Sequence, residues 1–236
     1  MGEEVLIVKN ITREGPGLIS EVLDDLCVSY TLVDLDAGDP FPNPTAYAAV
    51  IVLGGPDSAN DDTAKMNGEL ERVLQIVDQG IPFLGICLGL QVLVKATGGQ
   101  VVRSPLKEVG FFDPRGENFS VELTKEGKQD PLFRGLDDSF KVFQLHGETV
   151  ELAEGMVCLA QGRHCVSQVV KVKQKAYGIQ CHFELTGDML ERWAREDEDL
   201  AQLSGDALLG EFENMRQEYT RVGKAMLKNF FYLSGF

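Results

Sequence analysis

The sequence predicts an α/β fold: a doubly wound, mainly parallel sheet with helices on both faces and a small mixed or antiparallel extension. Three observations carry this. Strand-length apolar runs alternate with helix-length amphipathic segments up to Gly99, the run Ala48–Leu53 is apolar throughout as a strand covered on both faces must be, and beyond Gly99 the runs become shorter and extended.

Taken in order, Val5–Val8 is the first strand, a helix follows near Leu18–Leu26, and Tyr30–Leu35 and Val50–Leu53 are the next strands. A helix near Glu69–Gln79 leads to the strand Ile81–Ile86, and apolar residues at helical spacing run from Leu88 to Ala96 before the Thr97-Gly98-Gly99 stop. This is a flavodoxin-like order, in which ligands bind at the carboxyl ends of the strands, where Gly54-Gly55 and Cys87 fall. The runs 119–123, 141–143, 157–160 and 166–172 form the extension, which brings the late strand Ala176–Glu184 back to the sheet. From Gly187 the chain reads as helical, with Leu208, Phe212, Met215 and Tyr219 on one face and a strongly apolar Met226–Leu233. That end packs on the sheet or forms a homodimer contact. No repeat or linker is visible, so residues 1–236 are expected to form one domain with a helical extension at about 187–236.

With 236 residues and 44% hydrophobic content, the chain can build one sizeable core but not a synthetase domain beside it. A formal charge of −15 and a pI near 4.6 disfavour binding to nucleic acid or an anionic membrane, since nothing offsets phosphate repulsion. The acidic run Glu191–Asp199 is expected to be a solvated helix face. Neither a signal peptide nor a membrane span is visible, and five cysteines suit reduced thiols better than disulfides, so a cytoplasmic location is expected.

The most informative segment is Gly85-Ile86-Cys87-Leu88-Gly89-Leu90-Gln91. It places a cysteine on a strand-to-helix turn, which exposes a nucleophile in a strained backbone, while the helix N-terminus favours a thiolate and an oxyanion. A packed strand end is the plainer account of such a cysteine. What favours the nucleophile is Gln180-Cys181-His182-Phe183-Glu184, where strand alternation puts His182 and Glu184 on one face, so that the carboxylate can fix the imidazole tautomer. Gly54-Gly55, ending a strand, can turn an N–H toward the pocket to join that of Leu88 in an oxyanion hole. A metal site drawn from Cys158, His164, Cys165, Cys181 and His182 is not expected, because no Cys-x-x-Cys pair occurs and Cys181 and His182 point to opposite faces. No cofactor is expected either.

With those segments in hand, the chain resembles the class I glutamine amidotransferases, most closely stand-alone domains like the amidotransferase half of GMP synthase. The resemblance runs through Leu53-Gly54-Gly55-Pro56, the Cys87 segment, Lys107–Phe111, Asp130–Leu136, Leu145–Val150 and Gly178–Glu184, in the family's order. It implies that Cys87 attacks a glutamine side-chain amide to give a glutamyl thioester, with His182 as base then acid and Glu184 as orienting carboxylate. By resemblance Gly55 and Leu88 supply oxyanion N–H groups, Gln91 lies near the substrate, and His146 and Gly147 lie on a loop bordering the glutamine pocket. Three departures stand out: Phe183 replaces the proline that usually follows the catalytic histidine, Cys181 stands at the preceding position that is usually aromatic, and Glu148 stands where aspartate is usual. The expected substrate is glutamine or another γ-glutamyl amide. A separate synthetase could take up the ammonia, and a non-catalytic binding or regulatory module of the same fold is the alternative from another class.

Overall fold

The computed structural model describes residues 4–236. A nine-stranded sheet has the order β2-β1-β3-β4-β11-β10-β9-β6-β7. Its parallel half comprises β1 (Val5–Lys9), β2 (Tyr30–Asp34), β3 (Ala49–Val52), β4 (Phe83–Ile86) and β11 (Ala176–Ile179). Its antiparallel half comprises β10 (Val169–Val172), β9 (Val157–Gly162), β6 (Ser120–Leu123) and β7 (Ser139–Lys141). This is the predicted doubly wound, flavodoxin-like architecture with its antiparallel extension.

The two-residue period of the strands divides the core. Val5, Ile7, Ile51, Leu84, Ile86 and Ile179 face α1 (Leu18–Asp25) and α5 (Gly205–Ser234). Leu6, Val8, Val50, Val52 and Phe83 face α2 (Ala64–Asp78) and α3 (Leu88–Ala96). Met226, Leu227, Phe230 and Phe231 at the end of α5 are buried in the first layer, leaving Tyr232 and Leu233 exposed. A third cluster joins α4 (Gly187–Glu196) and the first half of α5 to Phe111 and Phe143 through Trp193, Leu208 and Phe212.

Two strands escaped the sequence reading: β5 (Gln100–Gly110) and β8 (Gln144–Glu151) pair as a separate antiparallel ribbon. Their alternation is broken by a register shift between Arg103 and Glu108 and by buried polar residues such as Glu108, Gln144 and His146, so the period-2 signal is lost. The predicted α2 began at Glu69, whereas Thr63 caps it by accepting from the Met66 N–H at 3.1 Å, adding a turn that Asn67 and Gly68 concealed. The acidic run also departs from expectation. Glu191, Glu196 and Glu198 are exposed, but Asp197 and Asp199 fold back toward the carboxyl ends of the strands, bonding Arg13 and Lys107 at 2.5 Å each.

Candidate active site

β4 ends at Ile86, and Cys87 turns the chain into α3 with φ 51° and ψ −104°. A non-glycine residue there carries strain of order 1–3 kcal/mol, which persists only when neighbours impose it. They do: the Cys87 N–H donates to Ile179 O at 2.7 Å, and its carbonyl accepts from the N–H groups of Leu90 and Gln91. The flanking glycines permit the packing, since a Cβ on Gly85 would lie 2.3 Å from Gly89 O and one on Gly89 would lie 2.2 Å from Val52 O.

The parallel register opposes Ile179 to Ile86, so the chain leaving β11 emerges beside the elbow. Strand pairing stops at Ile179 rather than continuing to Glu184, yet the predicted alternation survives. Cys181 and Phe183 enter the core, Gln180 Nε2 donates to Cys87 Sγ at 3.7 Å, and His182 Nδ1 lies 2.7 Å from Glu184 Oε1. The His182 backbone is held at both ends, its N–H donating to Phe143 O at 2.9 Å and its carbonyl accepting from Tyr219 O–H at 2.6 Å. Trp193 packs edge-on against its ring, with centroids 5.0 Å apart. Phe183 has a use that proline lacks: its N–H donates to Glu184 Oε2 at 2.9 Å, so both carboxylate oxygens are fixed. Burial disfavours a charged His182, but the Glu184 charge and the hydrogen bonds to Cys87 and Glu184 outweigh it and hold the imidazole well above its usual pKa.

Cys87 and His182 open into a cavity of about 330 Å³ that Gly55, Gln91, His146 and Gly147 also line. Leu88 is buried behind Gly55, its Cδ2 3.4 Å from where a Gly55 Cβ would be. Gln91 Nε2 donates to Glu148 O at 3.3 Å, and Glu148 Oε2 accepts from Ser58 Oγ at 2.8 Å, tying the two cavity walls together. His146 is not on a loop as expected; it lies on β8, buried, because the ribbon with β5 forms that wall. Glu14, the Arg13–Asp197 pair and the Lys107–Asp199 pair complete the lining. Sequence reasoning missed them because they come from connecting segments, where no periodicity marks a side chain that turns inward.

The model of the class-I glutamine amidotransferase family matches residues 18–192. The chain belongs to that family. This amidotransferase is 28% identical over 181 residues to the glutamine amidotransferase-like protein YfeJ of Salmonella typhimurium, covering 74% of this chain and 73% of that one. It is 29% identical over 233 residues to a GMP synthase of Syntrophomonas wolfei, 95% of this chain but 42% of the synthase. Against the GMP synthase of Lactobacillus acidophilus the identity is 35% over 138 residues, 58% of this chain and 24% of the synthase. The chain thus spans less than half the length of these GMP synthases. A solved glutamine amidotransferase of Thermotoga maritima superposes over 100% of both chains with TM-score 0.86 at 24% identity, which establishes the shared fold. By family and fold the chain is an enzyme of the glutamine amidotransferase type, acting by cysteine-dependent hydrolysis of a glutaminyl or related γ-glutamyl amide through a Cys-His-Glu triad.

Behind Gly55 the amidotransferase has a buried polar support. Asn10 Nδ2 donates to Glu69 Oε1 at 2.9 Å and to Leu53 O at 3.3 Å, and a Cβ on Gly55 would lie 2.7 Å from the Asn10 Cβ. Among the described residues Asn10 Oδ1 and Glu69 Oε2 are both without partners, and a proton on the carboxyl would supply a donor to this pair of acceptors. Burial, opposed by the Asn10 bond and the Lys65 charge, pushes the Glu69 carboxyl from 4.5 to about 7. Because the folded pKa lies above the unfolded one, the folded state prefers the protonated acid. The associated stability is complete below about pH 4.5 and is lost as pH rises through 7, by roughly 3 kcal/mol. Glu69→Gln is therefore expected to stabilise the protein in urea denaturation at mildly alkaline pH, with a gain that shrinks toward zero in mild acid. A gain or loss independent of pH contradicts a protonated Glu69.

A second grouping brings Glu108, His146 and Cys165 together, with one ligating atom from each lying within 4.8 Å of the others. It resembles a triad in composition and could by spacing hold a metal ion, but its groups already face one another. His146 Nε2 lies 2.9 Å from Glu108 Oε2, His146 Nδ1 meets Glu148 O at 3.0 Å, and Cys165 Sγ meets Thr149 Oγ1 at 3.0 Å. Burial pushes the Cys165 thiol up to about 12, so it stays protonated, and no strand-to-helix elbow presents it. His164, another candidate ligand, instead faces Asp113 at 3.1 Å.

Proposed function

We propose that Cys87 is the nucleophile of this amidotransferase, His182 its general base and acid, and Glu184 the carboxylate that orients His182. The observation that carries this reading is the arrangement from the elbow outward: Cys87 at positive φ, His182 lining the same cavity with its Cε1 and the Cys87 Cβ bordering one space beside Gly54, and His182 paired with Glu184 at 2.7 Å. In the reaction Sγ attacks the side-chain carbonyl carbon of glutamine, and the N–H groups of Gly55 and Leu88 receive the oxyanion. His182, having taken the thiol proton, returns it to the leaving nitrogen as the C–N bond breaks. Water then attacks the thioester with His182 as base and releases glutamate. Gln91, His146 and Gly147 hold the amino-acid head.

A cavity of about 330 Å³ is at the small end of ligand pockets and suits a substrate headed by a single amino acid. Glutamine and short γ-glutamyl dipeptides present the same head and differ on the leaving-group side. Glutamate and ammonia release from glutamine, compared with glutamate release from a panel of γ-glutamyl dipeptides with Cys87→Ala as blank, is expected to show thiol-dependent turnover of at least one class. Faster peptide cleavage makes the enzyme a γ-glutamyl peptidase; silence on every substrate with Cys87 intact counts against an autonomous hydrolase. The second reading is a partner-dependent ammonia donor, favoured by the limited share of each GMP synthase that the chain spans.

A non-catalytic module is disfavoured because all three triad side chains are present, His182 is paired with Glu184, and Cys87 lines the same cavity as His182. We place the enzyme, as one domain, in a reducing cytoplasm on the strength of five free cysteines; among the described residues no helix is long and apolar enough to cross a membrane. A homodimer contact at this end of the chain would use Tyr232 and Leu233, the apolar residues left exposed at the end of α5.

A further inference from the structure

Glu14 has no part in the triad, yet it is buried at 5% exposure in the segment between β1 and α1 and lines the cavity of Cys87 and His182. Among the described residues its Oε2 has no hydrogen-bond partner. A Cβ built on Gly54 would meet three atoms: Glu14 Oε2 at 2.6 Å, His182 Cε1 at 3.2 Å and Cys87 Cβ at 3.4 Å. The Glu14 carboxyl oxygen and the Cε1 edge of the imidazole, which lies between its two ring nitrogens, therefore border one space beside Gly54.

The charges around Glu14 leave it one natural counterpart. Arg13, its neighbour in sequence, is engaged by Asp197 at 2.5 Å, so its charge is largely spent. Glu184 and Asp197 repel an ionised Glu14, while His182 and Arg13 favour it. Cys87 is the remaining ionisable group at this edge.

We propose that Glu14 is a positioning residue of this active site, a third acid that sets the proton affinity of His182 from the Cε1 edge of the ring. The proposal rests on the reading of Cys87 and His182 as nucleophile and base. An ionised carboxylate at that edge stabilises the imidazolium formed when His182 takes the thiol proton; a neutral acid does not. Burial first, with Glu184 and Asp197 adding to it, pushes the Glu14 carboxyl from 4.5 to about 7. Rising pH thus ionises Glu14 and delays loss of the imidazolium to higher pH.

With three histidines in the chain, the titration of His182 can be followed directly by NMR of ¹⁵N-labelled imidazoles and assigned by the resonance lost in His182→Gln. The expected result is a His182 midpoint about one pH unit lower in Glu14→Gln than in wild type, with Glu14→Asp restoring part of the shift because it keeps the charge. A purely structural role would lower stability or turnover without moving the midpoint. An unmoved midpoint, or a His182 that does not titrate, overturns the proposal. Glutamine turnover measured on the same samples separates the two readings: a midpoint shift without turnover in wild type keeps this inference and removes the hydrolase reading.

Discussion

Cys87→Ala abolishes glutamine or γ-glutamyl amide hydrolysis, with a loss of at least about 10⁴-fold in kcat, the range seen when an activated nucleophile is deleted. His182→Ala falls nearly as far, because the two residues act as a unit and the second deletion has little left to remove. Glu184→Gln retains more activity. The amide can still accept from His182 Nδ1 through its oxygen, but it withdraws the negative charge that holds the imidazole pKa up. The geometry makes the ranking testable against the competing cluster: Cys165→Ala, which removes the other buried thiol near a histidine and a glutamate, is expected to leave a measurable rate. Full activity in Cys87→Ala, or loss confined to Cys165→Ala, transfers the nucleophile to Cys165, in the connection between β9 and β10.

Much of this site was legible before any coordinates. The glycines around Cys87 announced a close backbone approach, and Gly85 and Gly89 indeed pack against neighbouring backbone. Alternation along 180–184 put His182 and Glu184 on one side, and it holds even though ladder pairing ends at Ile179, because extended backbone alternates whether or not it is paired. What sequence could not supply was anything fixed by long-range approach. Glu14 and His182, far apart in sequence, border one space beside Gly54, and Asp197 and Asp199 look like part of a solvated acidic run until Arg13 and Lys107, also far away in sequence, draw them inward. The β5–β8 ribbon stayed hidden for the opposite reason. Its buried faces carry Glu108, Gln144 and His146, polar residues that erase the apolar pattern by which strands are recognised.

Gly89→Ala is expected to cost about 3–5 kcal/mol of stability and most of the activity, although it adds one methyl group and favours a helix by propensity. The new Cβ would lie 2.2 Å from Val52 O and 3.0 Å from Val52 C, backbone atoms of β3 that cannot rotate away. Relief requires either α3 to lift from the sheet or β3 to shift, and both displace the oxyanion elements: Gly55 follows β3, and Leu88 begins α3. Gly68→Ala is the matching control. Gly68 lies within α2 and, among the described residues, nothing comes inside 4 Å of its would-be Cβ, so the same substitution there is expected to stabilise by about 0.5–1 kcal/mol and leave the rate unchanged. Urea denaturation with parallel kcat measurements reads both. A Gly89→Ala protein as stable and active as wild type would mean that the elbow can move away from β3 at little cost, and the strained Cys87 backbone would then have lost the contact that holds it in place.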